Sequence, residues 1–265
     1  MSVVSVDDTG IRVTDLGRDF HRVQAVRSVT FAVAPGRRVG IVGESGSGKS
    51  TVARIIAGLD RPTRGTVHVD GQDLRSALST ARGRREYRRR VQLIAQDTTS
   101  AFDPRYTVRQ SLRVPGQRLG GWTRAECDSA IEEIAEELSI DGSLLERRPA
   151  QLSGGQRQRM AIARALLVRP RYLVCDEAVS ALDVSVQGAV LNLLKRYSTD
   201  HDAALLFVSH GLPATAFITD ELIVMYRGAI AEAGRTTQVL GRPTDPYTRA
   251  LVGAYREMES ARSGA

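Results

Sequence analysis

The segment 38–59, RVGIVGESGSGKSTVARIIAGL, constrains the fold more than any other part of the chain. Val39, Ile41 and Val42 read as a buried strand, and they run directly into Gly43-Glu44-Ser45-Gly46-Ser47-Gly48-Lys49-Ser50. That run is G-x-x-x-x-G-K-[ST], a phosphate-binding loop. Glycines let the backbone curl so that successive N–H groups point at phosphate oxygens, and the loop opens a helix whose positive end faces the same anion. Lys49 is then placed to reach the β- and γ-phosphates and the Ser50 hydroxyl to reach Mg²⁺. Val52, Ile55, Ile56 and Leu59 follow at i, i+3, i+4 and i+7, which predicts a core-facing helix after the loop. Strand, loop and helix together set a chance glycine-rich turn aside.

Upstream, Val26, Val29, Phe31 and Val33 alternate with polar residues before a Pro35-Gly36 turn, and Thr66 to Val69 ends at Asp70-Gly71. These predict an antiparallel β-layer around the start of the phosphate site. Phe20 falls on that layer, as an aromatic for a nucleobase to stack on or as a core phenylalanine. Val91 to Ala95 reads as a buried strand that delivers Gln96 to its end. Past a polar, proline-containing connection, Cys127, Ile131, Ile134 and Leu138 keep helical spacing, so a helical lobe is expected over about 108–148. The chain then reaches Leu152-Ser153-Gly154-Gly155-Gln156, a second glycine-rich loop opening a helix, again a place for an anion.

Residues 171–177, RYLVCDE, form an apolar strand that ends in two acids. Ligand groups of a parallel sheet gather beyond the carboxyl ends of its strands, so Asp176 and Glu177 are expected there. Val186, Val190, Leu193, Leu194 and Tyr197 mark a helix, 203–208 another strand with His210 at its end, and 221–234 a hairpin. The segment 257–265 lacks apolar periodicity and is expected to be a flexible tail.

The net charge of +7 comes from arginines spread over the whole length. Only Arg82, Arg84, Arg85, Arg88, Arg89 and Arg90 cluster, and with Tyr87 the lone aromatic among them a solvated helix face is expected, with no nucleic-acid partner. Two cysteines, Cys127 and Cys175, suggest neither a disulfide framework nor a metal cluster, and a reducing cytosol is expected. No apolar run approaches the ~18 residues needed to cross a bilayer.

Gly43 to Ser50, Gln96 at a strand end, LSGGQ at 152–156, LVCDE at 173–177, SALD at 180–183 and His210 together resemble the ATP-binding cassette (ABC) ATPases, over nearly the entire chain. LSGGQ is the specific part. The segments QDTTSAFDPRYTV, DEAVSALDVSVQ and DPYTRAL look like those of the oligopeptide, dipeptide and nickel importer ATPases. The resemblance implies an α/β fold: a P-loop NTPase, RecA-like core with an antiparallel β-subdomain and an inserted helical signature subdomain at about 97–163, all in one domain spanning 1–256. It also implies ATP and Mg²⁺ as cofactors. The loop residues from Gly43 to Ser50, with Thr51 and Asp183, would bind nucleotide; Ser50, Gln96 and Asp176 would hold the metal. Glu177 looks like the general base, with His210 and Gln96 the other catalytic groups. Ser153, Gly154, Gly155 and Gln156 of one cassette would cap the γ-phosphate held by another, making a homodimer or a heterodimer with a sister ATPase.

Four positions depart from the family pattern: Ala178 where proline is common, Gly211 where aspartate usually follows the histidine, Ala95 where an aromatic often precedes the glutamine, and Asp245 where the tail motif usually has histidine. None removes a catalytic group. The function implied is ATP hydrolysis powering import of peptides, nickel or a similar small solute. Integral membrane permeases would be direct partners at the cytoplasmic face of the membrane, and an extracytoplasmic solute-binding protein an indirect one. The alternative is a soluble accessory ABC ATPase of an enzyme complex such as that of phosphonate breakdown. A nucleic-acid or ribosome ATPase of this class usually needs two cassettes, and this chain carries one phosphate loop.

Overall fold

Alternating apolar and polar residues fold into two long antiparallel strands, β1 (Ile11–Phe20) and β2 (Val23–Val33). Ile11, Val13, Leu16, Val26, Val29 and Val33 are buried, as on the covered face of an antiparallel sheet. The three-residue step from Val13 to Leu16 breaks the two-residue period because the register shifts there, with Asp15 at a φ of 47°. The chain then forms β3 (Arg38–Val42), α1 (Lys49–Ile56), β4 (Arg64–Val69) and β5 (Gln72–Asp73). Strand β4 pairs antiparallel with β1 and β5, giving the order β2-β1-β4-β5. This is the antiparallel layer expected from the sequence. The computed structural model describes residues 9–21, 23–96, 101–179, 182 and 184–263.

A short helix, α2 (Leu74–Ala77), leads into a second compact unit, Arg75–Ala203; the first comprises Met1–Leu74 and Ala204–Ala265. In the second unit α3 (Ala81–Arg90) carries the arginine cluster. Tyr87 is fully buried beneath it, so it offers no stacking surface and the helix face is solvated as expected. Next come β6 (Val91–Ala95), α4 (Val108–Pro115), a π-turn at Gly116–Gly120, α5 (Arg124–Glu137), α6 (Gly154–Leu166), β7 (Tyr172–Asp176) and α7 (Val184–Asp200). Cys127, Ile131, Ile134 and Leu138 are all buried, which bears out their helical spacing. The unit is wider than the helical segment expected at about 97–163, because the parallel pair β6–β7 and the helix α7 cluster with it.

The chain re-enters the first unit through β8 (Ala204–Val208), α8 (Leu212–Ile218), β9 (Glu221–Tyr226) and β10 (Ala229–Arg235), then α9 (Thr236–Gly241) and α10 (Pro246–Ser263). Within this unit β8 and β9 flank β3 in parallel, and β10 adds antiparallel to β9. The expected flexible tail from Glu257 needs correction, because it is helical through Ser263. Arginine, glutamate, methionine and alanine in that stretch favour helix without needing an apolar stripe. Leu59, expected on the helix stripe, is 53% exposed. Gly58, at a φ of 69°, stops α1 after Ile56 and turns the chain outward.

Candidate active site

In the first unit the phosphate loop grows out of β3. Val42 pairs with Val224 of β9, Ile41 with Val208 of β8, and all three strands run parallel. Gly43, which follows Val42, and His210, two residues beyond Val208, therefore leave the sheet at the same carboxyl edge, where ligands of parallel sheets bind. The loop is fitted to glycine at two points. A Cβ on Gly43 would lie 2.1 Å from the Met225 carbonyl oxygen, and one on Gly48 would lie 2.5 Å from that of Ala25, with φ at 149° and 98°. Helix α1 opens at Gly48 without a side-chain cap and has no acidic residue in its first turn, which suits it to an incoming anion.

Lys49 is 4% exposed. Its ammonium donates to the Gly43 and Glu44 carbonyls at 2.8 and 2.7 Å, and lies 3.4 Å from Ser47 Oγ. Ser47 is buried, Thr51 half-buried, and Glu44, Ser45, Gly46 and Ser50 are exposed. Phe20, at the end of β1, is 40% exposed with the Arg18 guanidinium 4.3 Å above its ring. It is therefore a surface aromatic and not a core one. His210 is exposed, and the Gly211 N–H after it donates to Ser209 Oγ at 3.0 Å.

In the second unit β6 and β7 are parallel, and Ala95 pairs in register with Asp176. Gln96 and Glu177 therefore leave the same end of that pair, as the sequence predicts. Glu177 has a φ of 51°, left-handed backbone that costs a non-glycine residue on the order of 1 kcal/mol. Such torsions concentrate at functional sites. Cys175, just before the acids, is fully buried; burial pushes its thiol pKa far up, so it remains a neutral packing group.

Ser153 is the N-cap of α6. It accepts from Gln156 N–H at 3.2 Å while Gln156 Oε1 accepts from Ser153 N–H at 2.9 Å, a reciprocal capping box. Gln156 is thus engaged in shaping the loop. Gly154 has open space where a Cβ would be, and a Cβ on Gly155 would meet Val186 at 3.0 Å. Asp183 lies outside the described residues. Sequence reasoning missed two residues: Gln158, which bonds the Ala178 carbonyl, and Tyr247, which bonds the phosphate loop. The first stands in the run that continues LSGGQ, the second in DPYTRAL, so each had a motif but no visible partner.

A parallel strand feeding a glycine-fitted loop and an uncapped helix, with a buried lysine at the turn, defines a nucleotide-binding fold of the P-loop NTPase class. The family model for ABC transporters matches residues 26–180, and the chain belongs to that family. It is 38% identical to a putative peptide import ATP-binding protein of Brucella abortus (strain 2308), over 97% of this chain and 79% of that one. It is also 38% identical to the oligopeptide transport ATP-binding protein AppF of Bacillus subtilis (strain 168), over 88% of this chain and 70% of that one. Among solved structures it resembles the ABC transporter cassette MJ0796, determined as a dimer, with a TM-score of 0.77, 26% identity and 85% and 98% of the two chains covered. The same cassette in a dimeric post-hydrolysis state bound to ADP and Pi gives a TM-score of 0.76 at 25% identity, again over 85% and 98% of the two chains.

Proposed function

We propose that this ABC transporter ATPase powers the import of peptides or a similar small solute through separate membrane-spanning subunits at the cytoplasmic face. The observation that carries this reading is the 38% identity, over 97% of the chain, to a peptide import ATP-binding protein. No helix among the described residues is long and apolar enough to cross a membrane.

Each side chain then has a task. Lys49 and the loop amides hold the phosphates, and the buried position of Lys49 strengthens its pull on them. Ser50, Gln96 and Asp176 carry a hydroxyl, an amide and a carboxylate, oxygen donors of the kind Mg²⁺ takes; they would hold the ion, which would supply neutralisation of phosphate charge. Glu177 accepts the proton of the attacking water, and His210 contacts the γ-phosphate side. Phe20, exposed on the β-layer, stacks with adenine. Ser153 and Gly155 of a second cassette, identical or a sister, cover the nucleotide, so ATP closes a dimer and hydrolysis opens it. The segment from Gln96 into α4 couples the site to a permease. It exposes Tyr106 (45%) just before that helix.

Reconstitution tests the reading. The chain, its candidate permeases and any sister ATPase in proteoliposomes should hydrolyse ATP faster when a peptide-loaded binding protein is added, and cysteine at Tyr106 should cross-link to a permease loop. Cross-links confined to the C-terminal face, or peptide-indifferent turnover, would refute it.

A further inference from the structure

Tyr247, in the first turn of α10, sits 203 residues from the phosphate loop and touches it: its hydroxyl accepts a 3.0 Å hydrogen bond from the Glu44 backbone N–H. That N–H belongs to the Gly43–Glu44 peptide group, whose carbonyl, that of Gly43, accepts from Lys49 Nζ at 2.8 Å. A peptide group is planar, with its N–H and C=O pointing opposite ways, so fixing one end fixes the other. One rigid plane therefore links the tail tyrosine to the phosphate-binding lysine.

Tyr247 is held from three sides. Its ring stacks on Tyr226, with centroids 4.1 Å apart and planes 23° from parallel. Asp245 Oδ1 accepts from the Tyr247 and Thr248 N–H groups at 2.9 and 3.1 Å and so caps α10. Glu232 of β10 in turn accepts from the Thr244 and Asp245 N–H groups at 2.9 and 3.1 Å. Aspartate at position 245, where the resembling family usually has histidine, is a strong N-cap residue. All these groups belong to the first unit.

We propose that Tyr247 is a positioning residue for Lys49, acting through the Gly43–Glu44 peptide, so that the C-terminal helix sets the nucleotide affinity of the phosphate loop. To reach a phosphate, Lys49 must leave the two carbonyls that now hold it. With the peptide plane pinned by Tyr247, the lysine leaves alone and the loop keeps its shape. Without the hydroxyl, the plane is free to turn with the lysine and the loop must be reordered on binding. The inference rests on the phosphate-loop assignment above.

The test is MgATP affinity by titration calorimetry on the full chain, with any sister subunit present, for wild type, Tyr247→Phe, Tyr226→Phe and Lys49→Ala. Tyr247→Phe keeps the stacked ring and loses one neutral hydrogen bond, so affinity should weaken about 3- to 10-fold. Its KM for ATP should rise alike, with kcat within about twofold and Tm within about 2 °C. Tyr226→Phe, the matched hydroxyl deletion in the same stack, should bind as wild type does. Wild-type affinity in Tyr247→Phe, or equal weakening in both phenylalanine variants, overturns the proposal. So does a fall in Tm with no change in affinity, since the contact is then only structural. Lys49→Ala reads the underlying assignment separately: lost binding upholds the loop whichever way Tyr247→Phe falls, and wild-type binding sinks the loop and this inference together.

Discussion

Gln158 Nε2 donates a 2.6 Å hydrogen bond to the carbonyl oxygen of Ala178. The donor lies in the helix that begins at Ser153, and the acceptor directly follows Glu177. Both are buried, Gln158 at 3% and Ala178 at 2% exposure. Inside the second unit the signature helix and the strand end that carries the proposed base are thus tied by one contact.

Gln158→Leu keeps most of the volume and leaves that buried carbonyl without its partner, which should cost about 1–3 kcal/mol in urea unfolding. Because the carbonyl adjoins Glu177, turnover should also fall about tenfold while MgATP affinity is kept, a split that steady-state kinetics and calorimetry would resolve. Unchanged kcat would separate the bond from catalysis.

Glu177→Gln keeps the shape of the side chain but cannot accept a proton. Turnover should drop by about 10²-fold or more with ATP still bound. ATP should then trap a dimer, or a heterodimer with a sister ATPase, visible by size-exclusion chromatography. Adding Ser153→Arg should abolish it. A dimer indifferent to Ser153→Arg would exclude the signature loop as the cover of the partner's phosphates.

Two glycines of the phosphate loop should respond differently to alanine. Gly46 has a φ of 79° and open space where an added methyl group would stand, so Gly46→Ala should cost only the torsion, about 1–2 kcal/mol. At Gly48 the methyl group would sit 2.5 Å from the Ala25 backbone oxygen, which cannot swing away like a side chain. Gly48→Ala should therefore be the more destabilising by thermal melting and should lose nucleotide binding. Equal melting temperatures would contradict this loop geometry.

The tether of α10 should be acid-sensitive. Burial raises the pKa of Glu232, but hydrogen bonds from Thr244 and Asp245 outweigh it and hold the carboxyl below its ordinary value. A depressed carboxylate contributes stability that is present above the unfolded-state pKa and is lost as pH falls through the folded-state pKa. Glu232→Gln should therefore flatten the acid limb of a stability-versus-pH curve and bring the variant closer to wild type at low pH. A variant that tracks the wild-type slope in parallel would show that Glu232 is not the titrating tether.

Much of the site was legible because its signals are local. Gly43 to Ser50 declares the loop through spacing, the apolar run of β7 announces Asp176 and Glu177, and Cys127, Ile131 and Ile134 show the burial their spacing implies. What stayed hidden depends on contacts distant in sequence. Nothing near position 247 reports that its hydroxyl meets residue 44, and nothing near Gln158 reports the Ala178 carbonyl. Leu59 shows the reverse failure, since a period of 3.6 continues on paper past the glycine that ends the helix in space. Helices α9 and α10 were missed because their footing is a core shared with β9, where Val239 and Val252 pack with Val224.

The left-handed torsion at Glu177 bears on any attempt to harden this protein. Glycine accepts that backbone freely, so Glu177→Gly would relax the strand end while deleting the carboxylate. With Glu177 as the proposed base, a screen that rewards heat resistance alone would favour an inert chain over the working one. Selection for durable variants must therefore read phosphate release alongside survival, or it will converge on well-folded molecules that never fire.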